Sequence, residues 1–279
     1  MSGNDGNMMA AAELLDEAEA LLVTAGAGMG VDSGLPDFRG GEGFWNAYPP
    51  MRRLGISFAE MANPYWFDAD PELAWGFYGH RLNLYRRTKP HEGFSKLLDM
   101  GEKKKGGYFV FTSNVDGQFQ KASFDPGRVV ECHGSIHHLQ CKAKCSDAVW
   151  SAGMTEVEIH METFRARAPL PACISCGGLA RPNILMFGDW GWIPDRTERQ
   201  EEAFSLWLEE IRHRRLKLVI VEIGAGHAVP TVRYRSERAA LSLGGTLIRI
   251  NPRDAEVPSG HISIPLGAAE GINSIMGNA

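Results

Sequence analysis

The chain has 279 residues, of which 44% are hydrophobic and 23% are charged, and its formal net charge at pH 7 is −5. This composition is typical of a soluble globular protein of one or two domains. The acidic balance argues against a nucleic-acid partner, and no apolar stretch reaches the ~20 residues of a membrane span. The N-terminal segment is acidic rather than basic, so it is not a secretory signal and a cytoplasmic location is expected.

The first third of the chain is predicted to be mainly helical. Residues 9–22 fit an amphipathic helix, whose apolar face would hold Leu14, Leu15, Ala18, Leu21 and Leu22. A short apolar strand then enters a glycine-rich loop. Residues 41–70 are rich in glycine, proline and aromatic residues and predict a long loop with helical pieces. Residues 71–87 and 91–101 predict two further helices, the first beginning with a proline.

Three later segments share one pattern, an apolar run that ends in glycine or polar residues: "GYFVFTSNVDG", "KLVIVEIGAG" and "GTLIRINP". Such runs are typical of buried parallel strands, and helical patterns such as 197–212 separate them. The chain is therefore predicted to be α/β, with ligands beyond the carboxyl ends of its strands. Residues 132–188 interrupt this pattern and hold all five cysteines and four of the nine histidines. They predict an inserted small module.

The stretch "VTAGAGMGVDSGLPDFRG" (23–40) follows the first strand with repeated glycines. Glycine lets a backbone approach a pyrophosphate closely, but it also permits a tight strand–helix connection, and the glycines alone leave both interpretations open. The dinucleotide fingerprint G-x-G-x-x-G is not met, because its third position falls on Val31.

The Pro-Asp-Phe-Arg block behind these glycines resembles the signature of the sirtuins, the NAD-dependent protein deacylases. That signature is written G-A-G-x-S-x-x-S-G-I-P-D-F-R-G, and this chain differs from it at Gly30 and Leu35. Thr112 to Asp116 resemble the family's T-Q-N-I-D, and His133-Gly134 resembles its H-G element. The resemblance covers about residues 20–270 and implies a doubly wound, Rossmann-like parallel sheet with an inserted zinc-binding module and a helical module.

The cysteines form two pairs, C-x-x-x-C at 141–145 and C-x-x-C at 173–176. Paired thiolates on two turns suit a tetrahedral structural zinc site, and four unrelated reduced thiols are the alternative. Sirtuins carry a four-cysteine zinc module at this place, and "CISCGGLARPNILMFGD" resembles its second half. Cys132 is left over and is expected to be a buried thiol.

The resemblance also implies a mechanism. The acyl oxygen of an acylated protein lysine attacks C1′ of the nicotinamide ribose of NAD and nicotinamide leaves. A base-activated ribose hydroxyl then takes the acyl group, giving free lysine and O-acyl-ADP-ribose. In this frame the catalytic residues are His133, Asn114 and Asp116, with His133 as general base. The implied NAD-binding residues are Gly26, Ala27, Gly28, Asp37, Phe38, Arg39, Ser113, Asn114, Asp116, Gly224, Ala225, Gly226 and Asn251.

The implied substrate-binding residues are Phe187 and Gly188 in the acyl-lysine cleft, and Tyr78 and Arg81 at the acyl group. Tyr78 and Arg81 lie three apart on a predicted helix and therefore share a face. A Y-x-x-R at this place marks the sirtuins that remove succinyl and malonyl groups, and a phenol and a guanidinium can hold a ligand carboxylate. A surface pair with Tyr78 half-buried is the alternative.

Asn114 and Asp116 follow a predicted strand, and two interpretations of them stay open: their side chains bind a ligand, or they cap a turn.

The predicted domains are a Rossmann-like domain (8–40, 88–131 and 189–279), a cofactor loop and helical module (41–87) and a zinc-binding module (132–188). Three other functions stay open. The first is an NAD glycohydrolase or ADP-ribosyltransferase on the same fold, which the departures at Gly30, Ser113 and 224–226 leave possible. The others are a non-catalytic binding module and a zinc-ribbon nucleic-acid binder. The acidic charge argues against the last.

Overall fold

The computed structural model describes residues 3–37 and 40–276. Its strands are β1 (Ala20–Ala25), β2 (Tyr108–Thr112), β3 (Val129–Glu131), β4 (Gly134–Cys141), β5 (Val149–Ser151), β6 (Ile159–His160), β7 (Arg165–Ala166), β8 (Ala180–Ile184), β9 (Leu218–Ile223), β10 (Thr246–Ile250) and β11 (Ile262–Ile264). Its α-helices are α1 (Gly3–Glu17), α2 (Gly40–Ala47), α3 (Pro49–Arg53), α4 (Phe58–Met61), α5 (Trp66–Ala69), α6 (Pro71–Arg87), α7 (Glu92–Glu102), α8 (Gln118–Lys121), α9 (Asp195–Arg214), α10 (Thr231–Leu243) and α11 (Ala268–Met276). Short 3-10 helices lie at Ala27–Ser33 and Pro126–Arg128.

A six-stranded parallel sheet has the strand order β11-β10-β9-β1-β2-β3. Its central strands are buried on both faces, as their continuous apolar runs predict. In β1, Leu21 and Val23 pack with α1, α7 and α11 on one face, whereas Ala20 and Leu22 pack with α9 and α10 on the other. The predicted doubly wound α/β fold is confirmed.

The prediction of one helix over residues 9–22 is wrong at its C-terminal end. Helix α1 ends at Glu17, and Leu21 and Leu22 belong to β1, where they point to opposite faces of the sheet. The apolar residues of the helix run directly into the apolar run of the strand. Spacing alone does not separate two adjacent elements of this kind.

Helix α6 has the predicted bounds, and its ends explain why. The Asp70 side chain accepts a hydrogen bond from the Leu73 amide at 3.1 Å, and Pro71 occupies the first turn, where it removes no helical hydrogen bond. Arg86 and Arg87 lie in the last turn, where a cation is favourable. The segment 41–70 before it contains the four short helices α2 to α5.

The segments 41–87 and 132–188 share one hydrophobic core, separate from the two cores of the parallel sheet. In the second segment, β5, β4 and β8 form an antiparallel sheet. The Trp75 indole of α6 donates to the Ala180 carbonyl of β8 at 2.9 Å, and Arg86 donates to the Thr155 carbonyl at 2.7 Å. The helices and the cysteine-bearing strands therefore pack as one unit. The domain boundaries given above stay a prediction.

Among the helices of the described residues, none combines the length and the apolar character that crossing a bilayer requires.

Candidate active site

A cavity of about 860 Å³ opens where the carboxyl ends of β1, β2 and β9 face the second unit. This size is within the usual range for a ligand site. Of the residues expected to bind or react, the cavity is lined by Gly26, Ala27, Asp37, Tyr78, Arg81, Ser113, Asn114, Asp116, His133, Phe187, Gly224, Ala225 and Gly226. Gly28, Gly188 and Asn251 do not line it. Phe38 and Arg39 lie outside the described residues.

The two glycine loops lie against each other at the floor of this cavity. The Gly26 amide donates to the Ile223 carbonyl at 2.9 Å, and the Gly28 amide donates to the Gly224 carbonyl at 3.1 Å. A Cβ atom on Gly28 would lie 2.6 Å from the Cα of Gly224, which is closer than real contacts allow. These glycines are therefore required by the approach of one loop to the other. The backbone amides of Gly26 and Gly28, which could otherwise face phosphates, already donate to backbone carbonyls.

Asn251 holds the second glycine loop from below rather than reaching the cavity. Its buried amide donates to the Ala225 carbonyl at 2.8 Å, and its Oδ1 accepts from the backbone amides of Arg253 and Asp254, both at 3.1 Å. The residue thus shapes a wall of the cavity through hydrogen bonds to the backbone.

The polar residues that follow β2 have partners within the protein and also face the cavity. The Asn114 side chain donates to the Gly26 carbonyl at 3.0 Å, and Asp116 Oδ1 accepts from the Gln118 amide at 2.9 Å. The turn interpretation and the ligand interpretation of these residues are therefore compatible. Asn114 joins the end of β2 to the first glycine loop, so the loop and the polar residues form one wall.

His133 follows β3 and is half-buried at the edge of the cavity. Burial lowers its pKa from the usual 6.5, and a hydrogen bond to the Ser113 backbone partly raises it. The imidazole is therefore neutral at pH 7. A ring nitrogen that donates to a backbone carbonyl leaves the other nitrogen as an acceptor. The lowered pKa favours the neutral imidazole, which is the form that a general base requires.

The segment that carries His133 is fixed by the first turns of α9. Thr197 Oγ1 donates to the Glu131 carbonyl at 3.1 Å, and Gln200 Oε1 accepts from the Glu131 amide at 3.1 Å. The Glu131 carboxylate also pairs with Arg196. On the other side, the Leu185 amide donates to the His133 carbonyl at 3.0 Å. The histidine backbone is thus held from both sides.

Asp116 carries a buried carboxyl group whose ionisation costs stability. Burial, the largest cause, raises its pKa from 3.8 to about 6, although the Gln118 amide and Arg81 both act to lower it. Because the pKa is higher in the folded state than in the unfolded state, protonation of Asp116 favours folding. This stabilisation is fully present below pH 4 and is lost as pH rises through 6. The loss at pH 7 is about 3 kcal/mol.

We therefore expect Asp116→Asn to raise the free energy of unfolding at pH 7 by up to about 3 kcal/mol. The two proteins should be equally stable near pH 4, because both side chains are then neutral and the Asn oxygen can still accept from Gln118. Urea unfolding at pH 4, 5.5 and 7 measures this difference. A constant difference across these pH values would contradict a raised pKa.

Tyr78 and Arg81 lie on the same face of α6 and both line the cavity. Tyr78 is 1% exposed and Arg81 is 6% exposed, so they are not a surface pair. The Arg81 guanidinium lies 5.2 Å from the Phe77 ring centroid and donates to the Tyr85 hydroxyl at 3.0 Å. The buried Tyr78 hydroxyl has no hydrogen-bond partner among the described residues.

The four predicted zinc ligands come together at one end of the antiparallel sheet. The sulfurs of Cys141, Cys145, Cys173 and Cys176 all lie within 4.8 Å of one another. Two of these distances are 3.8 Å (Cys141 to Cys176) and 3.6 Å (Cys145 to Cys173). A tetrahedral zinc with Zn–S bonds of about 2.3 Å holds its sulfurs about 3.8 Å apart. The arrangement therefore fits zinc, and four thiolates would close its coordination.

Comparison with known proteins identifies the family. The model of the Sir2 family matches residues 26–205, which is more than half of the chain. The chain belongs to the Sir2 family. This sirtuin is 31% identical over 244 residues to an NAD-dependent protein deacylase of Aeropyrum pernix, covering 86% of this chain and 84% of that protein. A Thermus thermophilus protein of the same name is 28% identical over 263 residues, covering 92% and 89%.

The fold of the sirtuin is also similar to that of a solved structure, a mutant Sir2 homologue in complex with ADP-ribose. The two chains are 25% identical, and the TM-score is 0.68 over 95% of this chain and 93% of the other. The resemblance stated from the sequence motifs is therefore confirmed at the level of the family.

Several cavity-lining residues of this sirtuin were missed from the sequence. Phe58 belongs to α4, a four-residue helix with no periodic signal, and Met186 follows β8, a strand that the apolar pattern did not reveal. His227 follows the second glycine loop and bonds to Glu256 at 2.5 Å. In the sequence, only its position next to Gly226 could have indicated that it lies at the cavity.

Proposed function

We propose that this sirtuin removes acyl groups from protein lysine with consumption of NAD, giving nicotinamide, free lysine and O-acyl-ADP-ribose. The observation that carries the proposal is the convergence of His133, Asn114 and Asp116 with both glycine loops on one cavity. The names of the relatives from Aeropyrum pernix and Thermus thermophilus support the same activity.

The residues of the cavity suit NAD. The bound dinucleotide supplies the ribosyl carbon from which nicotinamide leaves and the hydroxyl that accepts the acyl group. The first glycine loop would face its phosphates, Asp37 would belong to the loop that closes over it, and Asn114 would order its nicotinamide ribose. The carboxylate of Asp116, ionised above about pH 6, would accept hydrogen bonds from the carboxamide of nicotinamide.

His133 would act as the base of the second stage. Its acceptor nitrogen would take the proton of the ribose hydroxyl when the acyl group passes to that oxygen and its bond to the lysine nitrogen breaks. The acyl-lysine would enter past Phe187, whose ring packs against Phe58 at a centroid distance of 6.3 Å. The zinc, with four thiolates, would be structural and takes no part in these steps.

Deacylation with and without NAD tests this function. A peptide carrying one acetyl-lysine is incubated with the purified protein, and its mass is followed over time. The expected result is loss of the acyl group only when NAD is present. Loss at the same rate without NAD would contradict the proposal, because no residue of the cavity replaces the ribosyl acceptor.

We further propose that the acyl pocket accepts an acidic acyl group such as succinyl. Burial raises the pKa of Tyr78 to about 12, so its hydroxyl keeps its proton and donates. The buried Arg81 places a guanidinium in the same cavity. A carboxylate at the end of the acyl chain would give the Tyr78 hydroxyl a partner and accept a charge-assisted hydrogen bond from Arg81. Alternatively, the charge of Arg81 balances the carboxylate of Asp116, whose pKa it lowers, and does not bind the acyl group.

Arg81→Met separates these two roles. We expect it to lower kcat/KM on a succinyl-lysine peptide by about 10- to 100-fold, the usual value of a hydrogen bond to a charged group. Activity on the matched acetyl-lysine peptide should change far less. Tyr78→Phe, which keeps the ring, should lower succinyl activity by about tenfold. If acetyl-lysine is strongly preferred and Arg81→Met leaves the ratio unchanged, the acidic pocket is wrong.

A further inference from the structure

One turn at the mouth of the cavity is held by a single buried carboxylate. Asp189 Oδ1 accepts from the Gly191 amide at 3.0 Å, and Oδ2 accepts from the Met186 amide at 3.3 Å. The Arg181 guanidinium forms an ion pair with the same carboxylate, and both charged groups are almost fully buried. The two ends of the segment 186–191 are therefore close together and fixed.

This turn presents Trp190 to solvent. Its side chain is 96% exposed, although the turn that carries it is anchored at both ends. Trp190 is adjacent to Gly191, and consecutive Cα atoms are about 3.8 Å apart. Since Gly191 and Met186 bind the same carboxylate, the backbone that carries Trp190 is held beside Met186 and Phe187, which line the cavity.

The neighbouring exposed residues of this segment are also apolar. Leu185 is 38% exposed and Phe187 is 44% exposed, and both line the cavity. The charge of Asp189 is neutralised by Arg181 and hidden from solvent. Leu185, Phe187 and Trp190 are therefore the exposed large apolar side chains of this segment, and the first two line the cavity. Exposed apolar side chains beside a binding site are characteristic of ligand recognition.

We propose that Trp190 is a specificity-determining residue that packs against a large apolar side chain next to the acyl-lysine in the substrate. The inference rests on the proposed function, because the occupant is the polypeptide whose lysine enters the cavity. A rigid aromatic ring offers a large contact area at a low entropic cost. The anchored turn lowers that cost further, because it is already ordered before the substrate binds.

The test uses acetyl-lysine peptides in which each of the two positions on either side of the lysine is Ala, Leu or Phe. For the wild-type protein, we expect Phe or Leu at one position to raise kcat/KM about 5- to 10-fold over Ala. In Trp190→Ala this ratio should fall close to one, and Trp190→Phe should keep most of it. Met154→Ala, which truncates an equally exposed apolar residue, is the control and should keep the full ratio.

Two further readouts separate this inference from the proposed function. An acetyl-lysine blocked at both ends, with no neighbouring residues, should react equally well with wild type and Trp190→Ala. The dissociation constants of fluorescent peptides, measured by anisotropy, should show the same apolar preference without turnover. Binding preference without deacylation would contradict the function alone. A wild type without preference, a Trp190→Ala protein that keeps it, or a Met154→Ala protein that loses it would overturn the role of Trp190.

Discussion

The His133→Ala variant is expected to lose about 10²- to 10⁴-fold in kcat while it remains folded. This is the usual contribution of a positioned general base. His133 is half-buried at the cavity, and burial holds its pKa below 6.5, which favours the neutral ring with one nitrogen as acceptor. Removal of the ring takes away that acceptor. The backbone of this position is held by Leu185, so the surrounding structure should persist.

The control for His133→Ala should remove a histidine that is similarly buried but has a different hydrogen-bond partner. His137 contacts the Asp116 carbonyl through Nε2 at 2.9 Å and does not line the cavity. His137→Ala should therefore retain more kcat than His133→Ala. The wild-type kcat/KM should fall on the acid side of its pH profile, at a pH below the usual imidazole pKa of 6.5, because burial lowers the pKa of His133 and a protonated imidazole accepts no proton. Protonation of Asp116, whose pKa is about 6, should contribute to the same fall. Turnover in His133→Ala equal to wild type would contradict the assignment.

Loss of one cysteine of the zinc site is expected to produce the largest change in stability. Structural zinc sites contribute on the order of 10 kcal/mol of binding free energy to the folding of the segment that holds them. The four sulfurs of this site come from two turns about 30 residues apart, and two of them are exposed. Apart from the metal, the two turns are joined by the pairing of β4 with β8, in which Cys141 lies opposite Ala180. Even about 3 kcal/mol would lower Tm by roughly 6–12 °C.

Cys173→Ser is the variant of choice, because Cys173 is buried and the Ser175 amide donates to its sulfur at 3.4 Å. The fifth cysteine supplies the matched control. Cys132→Ser removes a thiol outside the cluster and should keep one zinc per chain and nearly the wild-type Tm. Metal content by mass spectrometry and melting by calorimetry measure both variants. A Cys173→Ser protein with full zinc content and unchanged Tm would contradict a four-thiolate site.

The sequence was informative where one local signal sufficed. Pro71 indicated the start of α6, and the paired cysteines indicated their own site by their spacing. The apolar runs of β1, β2, β9 and β10 follow from burial on both faces of a parallel sheet. In each case the residues that carry the signal are neighbours in the chain.

The features that the sequence did not reveal depend on contacts between distant segments. The shared core of 41–87 and 132–188 includes the bond from Trp75 to Ala180, which no local pattern contains. The burial of Tyr78 and Arg81 has the same origin. Only the fold shows that the Gly26 and Gly28 amides donate to the carbonyls of Ile223 and Gly224, because the glycine pattern is equally compatible with phosphate binding.

The most direct test of the central claim is the stoichiometry of NAD consumption. The protein is incubated with NAD alone, with an acetyl-lysine peptide or with a succinyl-lysine peptide, and nicotinamide, freed lysine and O-acyl-ADP-ribose are counted by mass spectrometry. We expect nicotinamide only with an acylated peptide, in equal amounts with freed lysine and O-acyl-ADP-ribose. Nicotinamide released at the same rate without peptide would show an NAD glycohydrolase, and ADP-ribose attached to protein would show an ADP-ribosyltransferase. Either result would contradict a deacylase.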